Sequence, residues 1–167
     1  MAAAMIVTAG TAHADVHNLG NPGLLGGGQS AVFNFTDSVP VVDSISISFD
    51  YAEPVLDASW ASDVQVILTD GVGNSLIIGG FINSNAADIL WAFDGSISDD
   101  PGNYSDTFAT NFVTDGIWSL TFVNDWTSDP NPNDYANLIV TMGPVPAPGA
   151  LALLGLAGVS RRRRRKA

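Results

Sequence analysis

A two-residue alternation of apolar and polar side chains is the feature that most limits how this chain can fold. In the segment VVDSISISFDY, Ile45, Ile47 and Phe49 alternate with serine and aspartate. The segment GIWSLTFVND alternates in the same way, with Trp118 and Leu120 on one face. Successive side chains of a β-strand point to opposite faces, so each segment is predicted to form a strand with one buried and one solvated face.

Other short apolar segments are separated by turn-forming residues. VQVILT at 64–69 and SLIIGGFI at 75–82 flank the glycine-rich sequence DGVGN, which is typical of a hairpin turn. DILWAF at 88–93 and NLIVTM at 137–142 are two further apolar runs. Outside the two chain ends, no segment keeps the 3.6-residue apolar period of a helix. We therefore predict an all-β fold, an antiparallel β-sandwich of jelly-roll type with about seven or eight strands.

Residues 144–167 differ from the rest of the chain in charge and hydropathy. All six Lys and Arg residues lie at 161–166, whereas the 17 acidic residues precede them. A proline-rich lead is followed by an uncharged apolar run at 150–159, which is shorter than the roughly 20 residues that span a bilayer. Because Lys and Arg are retained on the cytoplasmic side, we predict a short C-terminal hydrophobic helix with transient membrane association. A nucleic-acid-binding arm is the disfavoured alternative, since the acidic body would repel phosphate.

This order of prolines, apolar run and basic end resembles the PEP-CTERM sorting signal of bacterial exported proteins, a tail also catalogued as the ice-binding protein C-terminal domain. In that family an exosortase, a membrane enzyme, reads a Val-Pro-Glu-Pro motif. The resemblance therefore implies an exosortase-like partner. The matching residues are Val145, Pro146, Ala147 (in place of Glu) and Pro148, with the basic residues Arg161, Arg162, Arg163, Arg164 and Arg165.

The other end of the chain also carries an export pattern. An apolar stretch precedes Ala12-His13-Ala14, an A-x-A pattern suited to signal-peptide cleavage before Asp15. The basic segment that normally opens a signal peptide is missing, so either translation starts upstream or the signal is incomplete, and we favour the first. The two ends together predict an exported protein of the cell surface, outer envelope or extracellular matrix that passes transiently through the inner membrane.

These patterns divide the chain into four predicted segments. They are a signal peptide at 1–14, a loose glycine-rich lead at 15–30, the β-sandwich domain at 31–143 and the sorting tail at 144–167. His17, which falls in the lead, is predicted to be exposed and unstructured. With no Cys and one His left after cleavage, no nucleophile–base set can be assembled. Zinc sites are expected to need several His or Cys, so a zinc site is excluded as well.

The body of the chain resembles the proprotein-convertase P-domain. SDVQVILTDGVGNSLIIGG, DGIWSLTFVNDW and NDYANLIVTM follow the strands and turns of that domain. P-domains are noncatalytic jelly-roll sandwiches that often carry calcium, so the resemblance implies that fold. The residues that take family positions are Asp63, Gly71, Gly116, Trp118, Leu120 and Asn124.

Two acidic segments, SDDPGNYSD and NDWTSDPNPND, offer clustered oxygen ligands of the kind that Ca²⁺ prefers. Calcium is the one cofactor that the sequence suggests. The alternative is a pair of solvated loops in which short Asp and Asn side chains cap turns. The candidate ligands are Asp99, Asp100, Asn103 and Asp106 in the first segment and Asp125, Asp129, Asn133 and Asp134 in the second.

The four tryptophans divide by pattern. Trp91 and Trp118 lie in apolar runs and are predicted to be core residues. Trp60 and Trp126 lie near predicted loops and are candidates for stacking on sugars.

Three functions follow from these expectations. The leading one is an exported, non-catalytic surface or matrix sandwich sorted by an exosortase-like system. The first alternative is a calcium-dependent module that binds extracellular polysaccharide. The second is a secreted glycosidase that uses Glu53 and Asp57, the carboxyl groups that lie near Trp60 in the sequence.

Overall fold

The computed structural model describes residues 13–53, 59–81, 87–93, 100–127 and 131–143. These residues contain nine strands and one short 3-10 turn at Ala61–Asp63. The strands are β1 (Asp15–Gly20), β2 (Gly23–Leu25), β3 (Ser30–Thr36), β4 (Val41–Ala52), β5 (Val64–Asp70), β6 (Ser75–Gly79), β7 (Gly102–Val113), β8 (Ile117–Asn124) and β9 (Asn133–Gly143).

The strands form two antiparallel sheets. Sheet A has the order β1-β9-β4-β7, and β2 continues the β1 edge along β9. Sheet B has the order β3-β8-β5-β6. From β2 onwards, every connection crosses from one sheet to the other except the β5–β6 hairpin, which is the connectivity of a jelly roll. The predicted all-β sandwich is therefore confirmed.

The core lies between the two sheets and is supplied by alternate residues of each strand. Phe49 of β4 is at its centre, with rings from both sheets and from the loop before β7 arranged edge-on or tilted around it. The prediction that Trp91 and Trp118 are core residues is confirmed, since they are 3% and 1% exposed. The remaining fully buried large residues include Ile45, Ile47, Tyr51, Leu68, Ile78, Leu120, Phe122, Tyr135, Leu138 and Met142.

The prediction of a loose lead at 15–30 is wrong. Both β1 and β2 pair with β9, from Asp15 opposite Met142 to Leu25 opposite Asn133. The backbone ladder needs no apolar side chains, so a polar, glycine-rich stretch can occupy the edge of a sheet. The sandwich domain consequently begins at Asp15.

Two other segment assignments also change. The predicted loop at 98–106 ends within β7, where ten residues pair with β4, so Asn103 and Asp106 are strand residues. The apolar run at 88–93 forms no strand in its described residues. It makes one bridge between Ile89 and Ile78, after which Trp91 enters the core.

The chain enters and leaves the sandwich at the same extremity of the molecule, which is called here the proximal pole. Asp15 pairs with Met142, and Ala14 lies beside Gly143. The opposite end, the distal pole, contains Trp126. The sorting motif, the basic cluster, Ala12 and the predicted C-terminal helix fall outside the described residues. In the part of the chain that is described, no helix is long and apolar enough to cross a bilayer.

Candidate functional site

The inward face of the edge strand β1 is polar at the proximal pole. Asp15 pairs with Met142 and His17 pairs with Val140, and both of these partners are fully buried in the core. Paired residues of neighbouring strands point to the same face, so Asp15 and His17 also point inwards, at the open edge of the sandwich. Inward-pointing charge on an edge strand also discourages that edge from pairing with another chain.

Asp37, from the connection between β3 and β4, meets this pair from the other sheet. Its side chain is 0% exposed, whereas those of Asp15 and His17 are 18% and 15% exposed. One potential ligand atom from each of the three residues lies within 4.8 Å of the other two. We call this group the Asp15–His17–Asp37 cluster. The prediction of an exposed, unstructured His17 is wrong, because the residue lies in a paired strand and its ring contacts Phe35, with ring centroids 4.7 Å apart.

Backbone and hydroxyl donors hold one oxygen of each carboxylate. The Ser38 N–H and hydroxyl donate to Oδ2 of Asp15 at 3.0 and 2.6 Å. The Val39 N–H donates to Oδ1 of Asp37 at 2.6 Å. The other oxygen of Asp15, Oδ1, lies 2.9 Å from Nδ1 of the exposed His13. The two carboxylates are thus oriented by their surroundings.

Two atoms at the centre of the cluster are buried without a hydrogen-bond partner. They are Oδ2 of Asp37 and Nε2 of His17, and they face each other across 3.7 Å. That separation is too long for a hydrogen bond. The cluster therefore contains an acceptor oxygen and an imidazole nitrogen that no other group in the described part of the chain satisfies.

The pKa values of the two carboxyl groups are shifted in opposite directions. Hydrogen bonds from the Ser38 hydroxyl and N–H lower the pKa of Asp15 to about 2. Burial raises the pKa of Asp37, and the hydrogen-bonding interaction and negative charge of the neighbouring Asp15 raise it further, against the opposing effects of the Val39 N–H and of His17.

The donor set can be compared with known metal chemistry. Zn²⁺ binds His nitrogen and Asp oxygen at about 2.0–2.2 Å, which places two ligand atoms of a tetrahedral site about 3.4 Å apart. The 3.7 Å between His17 and Asp37 is close to that value. Two carboxylates and one imidazole therefore fit a divalent transition metal better than Ca²⁺, which takes six to eight oxygen ligands.

The predicted calcium ligands of the first acidic segment are spread along β7 and the turn before it. Asp99 lies outside the described residues, and Asp100 is exposed. Asn103 donates to Oδ1 of Asp50 at 2.8 Å. Asp106 accepts from the Ala92 N–H at 2.6 Å and so fastens the loop before β7.

The candidates of the second acidic segment also have separate surroundings. Asp129 lies outside the described residues. Asp125 accepts from the Phe81 N–H at 2.9 Å. Asn133 is buried and donates to the Ser59 hydroxyl at 2.6 Å, whereas Asp134 is exposed in β9. Within the described ranges, the group of three acidic or imidazole side chains close enough to share an ion is the Asp15–His17–Asp37 cluster rather than either predicted loop.

The residues predicted to bind or cleave sugars lie away from the cluster. Trp126 is half-buried at the distal pole and packs edge-on against Phe81, with ring centroids 4.1 Å apart. Trp60 is also half-buried. Glu53 accepts a hydrogen bond from the Tyr51 hydroxyl. Asp57, its predicted partner, lies outside the described residues.

The outer face of sheet A carries a shallow polar groove of about 390 Å³. Ser46 and Thr107 are opposite each other in the β4–β7 ladder, and their hydroxyls lie 2.7 Å apart. Ser48 and Ser105 form the next such pair, and Thr141 of β9 closes the groove on the other side of β4. The groove is therefore lined mainly by hydroxyl groups.

Comparisons with known proteins add little to this description. No family model and no curated protein matches the sequence. Among solved structures, the chain is similar to dimeric latent PorU from Porphyromonas gingivalis, with 11% sequence identity and a TM-score of 0.38. The match covers 79% of this chain but 12% of the PorU chain. Similarity at this level carries no argument, and the fold is assigned from the strand order alone.

Sequence reasoning missed the Asp15–His17–Asp37 cluster, although part of it left a signal. Asp15 and His17 are two residues apart, so they share a face in any strand that contains both. Recognising β1 as a strand would therefore have placed the two side chains together. Nothing in the sequence pattern indicates that Asp37, from the other sheet, would join them.

Proposed function

We propose that this chain is an exported, non-catalytic β-sandwich protein of the cell surface or extracellular matrix, sorted through residues 144–167 by an exosortase-like system. The observation that carries the proposal is the separation of charge along the sequence. All fixed positive charge lies at 161–166, directly behind an apolar run, and the 17 acidic residues precede it. A tail of that kind fits transient membrane association with its basic end facing the cytoplasm.

The bounds of the sandwich support processing at both ends. β1 begins at Asp15, immediately after the predicted cleavage site at Ala14. β9 ends at Gly143, immediately before the predicted tail. Cleavage at either position would leave all nine described strands complete, so the folded domain would survive as the mature product.

Maturation in a bacterium that carries an exosortase tests this proposal. The full-length chain is expressed there, and cell fractions are analysed by intact-protein mass spectrometry. We expect an extracellular or surface species that starts at Asp15 and lacks the basic end. Replacing Arg161–Arg165 with serine should leave the protein unprocessed at its C-terminus, because the membrane stop loses its inward-facing charge.

Ala147→Glu is the matched control, because it restores the residue that the exosortase motif usually carries. Processing of this variant should equal or exceed that of the natural sequence. The proposal fails if the natural chain accumulates in the cytoplasm with both termini intact, or if the serine variant matures as completely as the natural chain.

A second candidate, a calcium-dependent polysaccharide-binding module, is favoured by the polar groove on sheet A. Hydroxyl groups can exchange hydrogen bonds with a polyol, and calcium would bridge the acidic body to an acidic polymer. Affinity electrophoresis in polygalacturonate and in dextran, each with and without millimolar Ca²⁺, tests it. Ser48→Leu should abolish any calcium-dependent retardation, whereas Ser119→Leu on the outer face of sheet B should not. Unretarded migration in all four gels would remove this candidate.

A further inference from the structure

We propose that the Asp15–His17–Asp37 cluster binds one divalent transition-metal ion, for which Zn²⁺ is the representative probe. The ligands would be a carboxylate oxygen of Asp15, Nε2 of His17 and Oδ2 of Asp37. The proposal does not depend on how the protein is exported.

The unsatisfied atoms at the centre of the cluster are the main argument. The Asp37 side chain is 0% exposed. Among the described residues, its Oδ2 and the facing Nε2 of His17 are both buried without a hydrogen-bond partner. Leaving a buried polar group unpaired destabilises the fold, and does so more strongly when the group is charged. Native proteins therefore supply such groups with a partner, an ordered water or an ion. A cation between the two atoms would satisfy both at once.

Charge and orientation favour an ion over an apolar or anionic ligand. Two carboxylates balance the two positive charges of the ion, which would offset the repulsion between Asp15 and Asp37. The N–H groups of Ser38 and Val39 occupy one oxygen of each carboxylate, which leaves Oδ2 of Asp37 for the metal. Oδ1 of Asp15, which lies 2.9 Å from Nδ1 of the exposed His13, would exchange that contact for the metal. Such outer hydrogen bonds orient metal ligands in established sites. Three protein ligands would leave one tetrahedral position for water.

The site also links the two sheets at their open edge. Asp15 and His17 belong to β1 of sheet A, whereas Asp37 follows β3 of sheet B. Bound metal would therefore join two edge strands that share no backbone ladder. Metal binding should raise the stability of the whole sandwich, since the ion is held in the folded state alone.

Calorimetric titration of the purified full-length chain with ZnCl₂ tests the proposal. We expect saturation at one equivalent and a rise in melting temperature. His17→Gln and Asp37→Asn should each weaken the Zn²⁺ affinity at least tenfold. Asp134→Asn, which removes an exposed carboxylate of β9, is the control and should change the affinity less than twofold.

Co²⁺ absorption of the natural chain provides a second measurement that needs no variant. Visible ligand-field bands should appear with one equivalent of Co²⁺ and disappear when Zn²⁺ is added. This readout still decides the question if Asp37→Asn fails to fold.

Three results would overturn the proposal. The first is the absence of saturable Zn²⁺ heat and of Co²⁺ bands in the natural chain, which would mean that the cluster holds no transition-metal ion. The second is an unchanged Zn²⁺ affinity in the folded Asp37→Asn variant. The third is displacement of Zn²⁺ by an equal concentration of Ca²⁺, because a site with an imidazole ligand should discriminate strongly between them.

Discussion

The indole Nε1 of Trp91 donates a 2.8 Å hydrogen bond to the backbone carbonyl of Val64, and the ring reaches it by lying directly over Gly79. A Cβ at Gly79 would fall 1.9 Å from that indole nitrogen and 2.6 Å from the Val64 carbonyl oxygen. The last residue of β6 must therefore be glycine for the loop that carries Trp91 to close over sheet B.

Gly79→Ala is expected to destabilise the fold by about 2–4 kcal/mol, because the new methyl group displaces a buried tryptophan and breaks its hydrogen bond. Gly73→Ala is the matched control. Both glycines have positive φ, 64° at Gly79 and 98° at Gly73, but a Cβ at Gly73 would meet no atom within 4 Å. The control should lose only about 1 kcal/mol of stability, because its new Cβ adds backbone strain and no clash. Urea denaturation followed by tryptophan fluorescence measures both values, and equal losses would contradict the packing argument.

Deletion of β1 distinguishes a structural strand from a loose lead. Removing residues 1–14 should leave the free energy of unfolding unchanged, whereas removing residues 1–20 should lower it by about 2–4 kcal/mol, because β9 loses a ladder of hydrogen bonds. The longer deletion also exposes β9 as a new edge, so this variant should aggregate more readily. Chemical denaturation and size-exclusion chromatography measure the two effects. If the two deletion variants are equally stable, residues 15–20 do not stabilise the fold, and the prediction of a loose lead is correct for them.

Asn124 joins the end of β8 to β2 within the core. Its side-chain amide donates to the Leu25 carbonyl at 2.9 Å and accepts from the Trp126 N–H at 3.2 Å. Asn124→Ala should cost about 2–3 kcal/mol, because it leaves buried backbone groups unpaired. Asn34→Ala, at an exposed position on the outer face of sheet B, should stay within about 0.5 kcal/mol of the natural chain. Thermal and urea denaturation compare the two, and a loss below 1 kcal/mol at Asn124 would contradict this role.

Asp50 should titrate below its ordinary value of 3.8, because Asn103 and Asn137 donate hydrogen bonds to its two oxygens at 2.8 and 2.5 Å and so lower its pKa. A lowered pKa means that the folded state binds the proton less readily than the unfolded state. The contribution of Asp50 to stability is therefore present above about pH 4 and is lost as the pH falls through the folded-state pKa.

NMR titration of the Asp50 carboxyl carbon tests whether its pKa is lowered. Asn103→Ala should move the pKa of Asp50 upwards, towards 3.8, and the double variant with Asn137→Ala should move it further. Asn34→Ala is again a suitable control, since Asn34 lies on the other sheet. A pKa of Asp50 at or above 3.8 in the natural chain would refute the assignment.

The strands that could be predicted from the sequence are those whose two faces differ in polarity. In β4, Ile45, Ile47 and Phe49 are buried while the serines between them are partly exposed, and the alternation is visible along the sequence. The inward face of β7 includes Asp106, opposite the buried Ile47, so its alternation is interrupted and the strand was missed. Edge strands tolerate such residues because only one side of their backbone is paired.

The candidate site was harder to predict for a different reason. Its three residues become neighbours only because β1 lies at the edge of one sheet and the β3–β4 connection passes the same edge from the other sheet. That proximity depends on long-range strand order, which a local pattern does not encode. Asn137 of β9 is a comparable case. It adopts a positive φ of 51° beside the register shift opposite Ser48 and Asp50, and no turn motif in the sequence predicts this conformation.

The interior position of β9 has a mechanical consequence. This strand has partners on both sides, β1 and β2 on one and β4 on the other, and it leads directly to the tail at Gly143. A pulling force applied between the tail and the distal pole acts along β9 and loads both ladders in shear, so many hydrogen bonds must break together. A force applied between Asp15 and Gly143 would instead unzip the β1–β9 ladder one pair at a time. A domain held by the end of this strand would therefore resist tension between that attachment and its far end.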